Sequence, residues 1–426
     1  MGRKPTHRRN YRKQSHQDSH ENGEITPVLQ GNPLVPTEEA IWIDSASGLI
    51  EVCNTLKSAA TFAFDTEFIG EDSYYSKTCL IQVGTTEMVA LIDPFAIEDL
   101  TPLYALLCDP QCTKIVHAGK QDLEPILRLF GAPPTSVFDT QLAAGLIGIP
   151  WPISLTKLID SLLGHDVGGH FTLTQWDARP LTNRQKRYAA DDVRYLPAVY
   201  HNMQQQLQTL GRESWIVEEC ASLTSPDGFG FDLQTSVKRI CKNKTPRKKE
   251  LLRIQSLVTL RDQLAKQRND PPRTVMPDEC ILSLARKPVE TSEQLATLKG
   301  FPKRIAKDFG RDILQAISDA NELTPIKLRK PQSIEKEAST RQELDGLWSL
   351  FCAWCVGNQL SSNLLANRAT FTDWCLALRT NEQPPNSTLT SSWRVLAVQP
   401  FAEFIQGTRR LEFTRNETLH VRAKDV

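Results

Sequence analysis

The chain has 426 residues, of which 40% are hydrophobic and 23% are charged, and its formal net charge is zero. This composition is typical of soluble globular proteins, and the length fits about three domains. Because no apolar run approaches the roughly 18 residues of a membrane helix and the N-terminus lacks the apolar core of a secretory signal, we expect a cytoplasmic protein with no membrane contact.

Basic residues are concentrated in two stretches. Residues 1–20 contain six Lys or Arg and one acid, and residues 237–253 contain eight Lys or Arg and one acid. Such stretches can attract a phosphate backbone although the whole chain is neutral; the alternative is a solvated tail and linker. Because residues 1–38 include few large apolar side chains, we expect them to form a disordered basic tail.

The first strong pattern is a strand that carries two acids. Residues 61–68 alternate apolar with small or polar side chains, which predicts a half-buried β-strand. Asp65 and Glu67 are two residues apart, so they project from the same face of this strand. Two carboxylates on one face repel each other, and a cation between them would stabilise both. Further strands are predicted at 78–83, 88–92 and 114–116, with a hairpin turn at 84–87.

Two more acids lie on predicted helices. Asp122 follows the strand at 114–116, in a segment that predicts the start of a helix. Residues 184–196 also predict a helix, in which Tyr188 precedes Asp192 by one turn, so both side chains can point into one cleft. Because helices alternate with strands, we expect a mixed sheet with helices on its faces.

Three residues near these acids allow more than one interpretation. Asp139 is either a further acid of the site or the N-cap of a helix predicted over 141–147, and the N-cap is the simpler interpretation. Asp191 lies about 100° around the helix from Asp192, so we expect it to face solvent. His117, at the end of a buried strand, either contacts a phosphate or has a structural role.

The acids together predict a metal site. Asp65, Glu67, Asp122 and Asp192 bring about four negative charges to one place, and a phosphodiester adds about one more, so two divalent ions would cancel most of the charge. Because neither Cys nor a His pair accompanies the acids, we expect Mg²⁺ or Mn²⁺ rather than zinc. Two such ions about 3.5 to 4 Å apart can activate a water for attack at phosphorus. Tyr188 would orient that water, since a phenol with a pKa of about 10 is a poor base.

The second half of the chain is predicted to be helical. Residues 245–322 show helical apolar spacing, which fits a compact helical domain. A polar linker at 323–340 precedes a second helical region over 341–415, and we expect about the last dozen residues to be frayed. Cys352 and Cys355 lack the further ligands that zinc needs, which favours buried thiols on a helix.

Several segments resemble the ribonuclease D group of DEDD 3′-to-5′ exonucleases, in its Tyr-containing subclass. These segments are 64–68, 79–83, 117–122, 137–142, 179–181 and 188–192. The resemblance implies a ribonuclease-H-like α/β exonuclease domain over 39–225. It also implies an HRDC domain over 245–322 and a second all-α HRDC-like domain over 341–415. By this resemblance Asp65, Glu67, Asp122 and Asp192 are the metal ligands, and Tyr188 positions the water.

The resemblance also implies an activity. We expect a monomeric exoribonuclease that releases nucleoside 5′-monophosphates from RNA, with tRNA precursors that have free single-stranded 3′ ends as substrates. Two alternatives stay open. The same metal site could act mainly on DNA, since discrimination depends on 2′-hydroxyl contacts that the sequence does not identify. The chain could also be a non-catalytic RNA-binding scaffold with an inactive nuclease fold, although the presence of all five motif residues argues against it.

Overall fold

The computed structural model describes residues 26–168, 175–225, 228–242, 244–328, 335, 337–380, 382, 388–390, 392–416 and 418–425. Most of the predicted basic tail, residues 1–25, lies outside these ranges. Within them, no helix is both long enough and apolar enough to cross a membrane.

A mixed six-stranded sheet organises the described residues of the first half. Its strands are β1 (Ile41–Ile43), β2 (Thr61–Ile69), β3 (Lys77–Gly84), β4 (Val89–Ile92), β5 (Thr113–Val116) and β6 (Val137–Asp139). Their order in the sheet is β1-β4-β3-β2-β5-β6. Strand β2 is antiparallel to β3 and parallel to β5, which confirms the expected mixed sheet. The edge strands β1 and β6 have three residues each, too few for an alternating pattern, and the sequence did not predict them.

Helices cover both faces of this sheet. They are α1 (Ala46–Ala59), α2 (Thr101–Leu107), α3 (Lys120–Phe130), α4 (Thr140–Leu146), α5 (Leu155–Leu163), α6 (Asn183–Arg194), α7 (Leu196–Thr209) and α8 (Glu213–Thr224). Phe62 and Phe64 belong to one hydrophobic cluster, and Ala63 belongs to the cluster on the opposite face. All three side chains are buried, so this part of β2 is not the half-buried strand that the alternation predicted. Burial on both faces holds β2 rigidly in the middle of the sheet.

A separate hydrophobic cluster holds the next helical part together. Its helices are α9 (Leu233–Cys241), α10 (Lys248–Arg268), α11 (Pro272–Val275), α12 (Asp278–Arg286), α13 (Ser292–Thr297) and α14 (Lys303–Asp319). The long helix α10 is the centre of this part, because α9, α11, α12 and α14 all pack against it. Residues 237–241 and 248–253 of the second basic stretch therefore lie on helices α9 and α10.

The C-terminal part packs directly on the sheet domain. Its elements are α15 (Ala338–Gly357), α16 (Ser362–Leu365), α17 (Arg368–Thr380), α18 (Ser392–Ile405), β7 (Arg409–Arg415) and β8 (Leu419–Asp425). Trp393 of α18 stacks on Trp215 of α8 with ring centroids 4.8 Å apart. Arg212 donates hydrogen bonds of 2.6 Å to the carbonyl oxygens of Leu146, Asn358 and Gln359. One hydrophobic cluster thus spans both parts.

Two expectations about the chain ends were wrong. Strands β7 and β8 form an antiparallel hairpin that reaches Asp425, so the C-terminal residues are not frayed and this part is not purely helical. Residues 26–38 are not disordered either. Val28 and Val35 are buried, and the buried side chain of Arg194 donates to the carbonyl oxygens of Pro36 and Glu38. Few apolar residues were needed here, because Arg194 and Arg187, which donates to the Thr26 carbonyl oxygen, fix the backbone of this segment.

Arg212→Met should lower the free energy of unfolding by about 2 kcal/mol or more, because three carbonyl groups, largely removed from water, would lose their donor. Chemical denaturation monitored by tryptophan fluorescence measures this loss. Arg304→Met is the matched control, since the Arg304 side chain is 79% exposed. Equal denaturation midpoints for the two variants would show that Arg212 does not stabilise the junction.

Candidate active site

The sheet topology brings Asp65, Glu67 and Asp122 to one edge. Strands β2 and β5 are parallel, with Ala63 opposite Ile115. The carboxyl ends of parallel strands meet at the same edge of a sheet, where α/β proteins commonly bind ligands. Asp65 and Glu67 lie near the end of β2, and the connection after β5 leads directly into α3, whose first turn carries Asp122. The sheet therefore brings Asp122 close to Asp65 and Glu67, although more than fifty residues separate them in sequence.

The start of α3 is fixed by close packing and by Asp139. A Cβ atom at Gly119 would lie 2.6 Å from Cβ of Val116, so only glycine lets the chain turn this tightly from β5 into α3. The Asp139 carboxylate accepts hydrogen bonds of 3.1 Å from the backbone N–H groups of Ala118 and Gly119. Asp122 is further fixed, because Thr66 Oγ1 donates to its Oδ1 at 2.5 Å.

Helix α6 brings the remaining two candidates to the same place. A capping box begins the helix: Thr182 Oγ1 accepts from Gln185 N–H, and Gln185 Oε1 accepts from Thr182 N–H. A Cβ atom at Gly84 would lie 3.0 Å from the carbonyl oxygen of Val193, so α6 lies directly on β3. Tyr188 hydrogen-bonds to Asp192, one turn away, as the helical spacing predicted.

Arg179 fixes the segment before α6, a role that the sequence did not reveal. Its guanidinium makes two hydrogen bonds to the Asp93 carboxylate, at 2.7 and 2.8 Å, and donates to the carbonyl oxygens of Cys79 and Trp176. These contacts tie the loop that carries Trp176 to β3 and to the end of β4. The Arg-Pro-Leu segment at 179–181 marked this residue as part of a motif, but nothing in the sequence identified Asp93 as its partner.

The three ambiguous residues all have structural roles. Asp139 caps α4 by accepting from Gln141 N–H at 2.8 Å, which confirms the N-cap prediction. His117 Nδ1 hydrogen-bonds to Thr140 Oγ1 and its Nε2 to the Ile153 carbonyl oxygen, and burial lowers its pKa. The expectation that Asp191 faces solvent was wrong. It is buried and paired with Arg187 at 2.6 Å and Arg194 at 2.9 Å.

Burial raises the pKa of each of the four acids, and the charges of neighbouring acids add to the rise. Burial is the larger cause in every case. It raises the pKa of Glu67 from 4.5 to about 8, with the Asp122 charge adding to the shift. The pKa of Asp122 rises to about 6, although the hydrogen bond from Thr66 opposes the rise. The pKa values of Asp65 and Asp192 are also well above the ordinary range, and Glu67 contributes to both. These carboxylates are therefore close enough to repel one another.

The donor set fits a hard divalent cation. Among the residues that the structure describes, no three Asp, Glu, His or Cys side chains are grouped closely enough to hold one ion as they stand. The fit rests instead on the chemistry of the donors. Four carboxylates with raised pKa values lie at one edge of the sheet, on β2, α3 and α6. Carboxylate oxygens are the ligands that Mg²⁺ and Mn²⁺ prefer. The neighbouring His117 is already hydrogen-bonded on both ring nitrogens.

Tyr188 is placed to orient a small molecule rather than to accept a proton from one. Burial raises its pKa above the ordinary value of 10.0, and the negative charges of Asp192, Glu67 and Asp65 raise it further. Its ring lies 6.2 Å from that of Trp176, centroid to centroid. The phenol therefore keeps its proton at neutral pH and can act as a hydrogen-bond donor or acceptor at the site.

Comparison with protein families defines the class of protein. The model of the 3′-5′ exonuclease family matches residues 40–208, which include the sheet and all five candidate residues. The HRDC domain model matches residues 250–317, within helices α10–α14. The fold and the site thus define a 3′-5′ exonuclease with an appended HRDC domain.

Individual relatives show which group of 3′-5′ exonucleases the chain is similar to. Ribonuclease D from Acidiphilium cryptum is 30% identical over 86% of this chain and 92% of its own length. Ribonuclease D from Granulibacter bethesdensis is 32% identical over 73% of this chain and 79% of its own length. The crystal structure of Escherichia coli RNase D, an exoribonuclease involved in structured RNA processing, has a TM-score of 0.70 and 27% identity. That match covers 87% of this chain and 99% of the other.

The chain belongs to the ribonuclease D family. It is a 3′-5′ exoribonuclease, and the exonuclease fold implies the use of a divalent metal ion. The alternative of a non-catalytic scaffold has no support from these relatives.

Glu67→Gln should stabilise the metal-free protein, and more so at pH 8 than at pH 5. The folded state raises the pKa of Glu67 from 4.5 to about 8, so folding requires proton uptake between these values and stability falls as the pH rises. The amide removes this contribution. We expect the variant's advantage in unfolding free energy to grow by about 1 kcal/mol or more between pH 5 and pH 8, measured in EDTA. The exposed Glu87→Gln is the control, and an advantage independent of pH would contradict the assignment.

Proposed function

We propose that Asp65, Glu67, Asp122 and Asp192 hold two Mg²⁺ or Mn²⁺ ions for phosphodiester hydrolysis. The observation that carries this proposal is the convergence of four carboxylates, one buried and three partly buried, whose charges repel one another at one sheet edge. When bound, the ions would activate a water and stabilise the departing oxygen. The protein's own contribution is to hold the ligands in place, since β2 is buried on both faces and α3 and α6 are fixed at their first turns.

Tyr188 has a different role in the proposal. Its hydroxyl hydrogen-bonds to Asp192, so it lies beside the acids and can hold a water at a set angle to the phosphorus atom. Because its pKa is raised, the Tyr188 hydroxyl keeps its proton at neutral pH. It can therefore hydrogen-bond to the water but does not act as a general base. The proton of the attacking water must therefore leave through another group or to solvent.

The proposed substrates are RNAs with a free single-stranded 3′ end, and tRNA precursors with 3′ extensions are the first candidates. The family membership supports an RNA substrate. DNA stays the second candidate substrate, because no contact to a 2′-hydroxyl has been identified. The cytoplasmic location and the monomeric state that the sequence led us to expect stay predictions.

A metal-dependence series on a 3′-extended tRNA tests the substrate, the polarity and the cofactor together. We expect nucleoside 5′-monophosphates to appear one at a time from the 3′ end with Mg²⁺ or Mn²⁺, and no product in EDTA. A DNA oligonucleotide of matched sequence and overhang is the control for sugar preference. Binding of the tRNA without release of mononucleotides in either metal would overturn the proposed hydrolysis.

Asp192→Asn should abolish turnover while the protein stays folded, because a ligand is lost and repulsion in the metal-free site is relieved. Asp160→Asn, which removes an exposed acid from α5, is the charge-matched control and should keep full activity. Mononucleotide release and circular dichroism measure the two effects. A variant that retains wild-type kcat would exclude Asp192 from metal binding.

Tyr188→Phe should lower kcat on the order of 10²-fold, since the hydroxyl would no longer orient the water. The ring and its packing against Trp176 are kept, so we expect KM and the melting temperature to change little. Single-turnover kinetics at saturating metal give the rate of the chemical step. An unchanged rate would show that the Tyr188 hydroxyl has no part in catalysis.

A further inference from the structure

The loop between β2 and β3 is held by the HRDC domain. Tyr74 Oη donates to Asp262 Oδ1 at 2.6 Å, and Tyr74 N–H donates to the Asn269 carbonyl oxygen at 3.2 Å. Tyr75 N–H donates to Asn269 Oδ1 at 3.1 Å. The loop begins three residues after Glu67. A domain that lies almost two hundred residues away in sequence thus fixes the segment that leaves the catalytic strand.

The ring of Tyr75 is fixed from the exonuclease side as well. The Arg128 guanidinium lies over this ring at 4.5 Å from its centroid, and the Tyr74 ring meets it edge-on at 4.8 Å. Arg128 belongs to α3, the helix that carries Asp122, and it is held by Glu124 at 3.1 Å. Tyr75 is therefore an aromatic residue held by contacts to both domains.

This aromatic surface lines a large cleft beside the acids. The cleft has a volume of 1170 Å³, and its walls include Phe68, Tyr75, Trp176 and Asn269. Phe68 directly follows Glu67, and Trp176 lies beside Tyr188, so the cleft adjoins the catalytic residues. The volume exceeds the roughly 300–1,000 Å³ of pockets for single small ligands. It has room for more than one unit of a polymer.

The charges of the cleft indicate how a nucleic acid would be held. Two cations, Lys77 and Arg128, line it together with the three acids Glu71, Asp72 and Asp177. Attraction of phosphates is therefore a poor explanation for binding in this cleft. Aromatic rings, in contrast, stack on any base regardless of its sequence. The bases would point into the cleft and the phosphates away from it.

We propose that Tyr75 is a base-stacking contact for single-stranded RNA next to the nucleotide being removed. Asn269 and Asp262 of the HRDC domain are positioning residues: Asn269 accepts from Tyr75 N–H, and Asp262 holds Tyr74, whose ring packs edge-on against Tyr75. The proposal rests on the proposed function, since it assumes an RNA 3′ end at the acids. In this proposal the HRDC domain contributes to RNA binding indirectly, because it holds a loop of the exonuclease domain.

RNA binding by variants tests this proposal without turnover. In an Asp192→Asn background with Mg²⁺, Tyr75→Ala should weaken the binding of an octanucleotide RNA on the order of 10-fold, the range of one lost stacking contact. Tyr75→Phe keeps the aromatic face and should bind as tightly as its parent. Asn269→Ala should weaken binding less than Tyr75→Ala. A nucleoside 5′-monophosphate, which ends before the stacking position, should bind all variants alike.

Crosslinking locates the contact even if Tyr75→Ala fails to fold. An octanucleotide with 4-thiouridine next to its 3′-terminal nucleotide should crosslink to the peptide that contains Tyr75. Crosslinks only to other peptides, or equal losses for the nucleoside 5′-monophosphate and the octanucleotide in a folded Tyr75→Ala variant, would overturn the proposal. Failure of the proposed function would appear separately, as absence of mononucleotide release by the wild-type protein.

Discussion

The desolvation and mutual repulsion of four carboxylates at one sheet edge are the constraint on which the rest of the structure depends. Burial raises the pKa of Glu67 to about 8, with the Asp122 charge adding to the rise, and it raises the pKa of Asp122 to about 6, so the metal-free fold is destabilised at its own site at neutral pH. Such an arrangement persists only where other contacts hold the backbone. Those contacts are the central strand β2, buried on both faces, and the two glycines that let α3 and α6 approach the sheet closely.

The positioning contacts are themselves polar, and each is satisfied. Asp139 fixes the start of α3 by accepting two backbone hydrogen bonds, and Arg179 fixes the entry to α6 through Asp93. Far along the chain from β2, Asn269 of the HRDC domain fixes the loop that follows β2. The site is therefore assembled by contacts between distant segments, and a change in any of them is expected to alter the geometry of the acids before it alters the fold.

The sequence indicated the candidate acids but not the contacts that hold them in place. Asp65, Glu67, Tyr188 and Asp192 follow from strand and helix periodicity, which depends on local spacing alone. The partners of Arg179 and Arg194 could not be predicted, because ion pairs and carbonyl contacts between distant segments leave no periodic signal. For the same reason Asp191 was expected in solvent. The strands β1 and β6 were missed because three residues are too few for an alternating pattern, and the C-terminal hairpin was not predicted either.

Isothermal titration of the metal-free protein with Mn²⁺, compared with Asp65→Asn, tests whether the acids at the sheet edge are the metal ligands. Two ions per chain should bind at pH 7.5, with release of protons from the carboxyl groups whose pKa values are raised. The variant should lose at least one of the two binding events and remain folded. Identical stoichiometry and proton release in the two proteins would contradict the account, because the acids at the sheet edge would then not be the ligands.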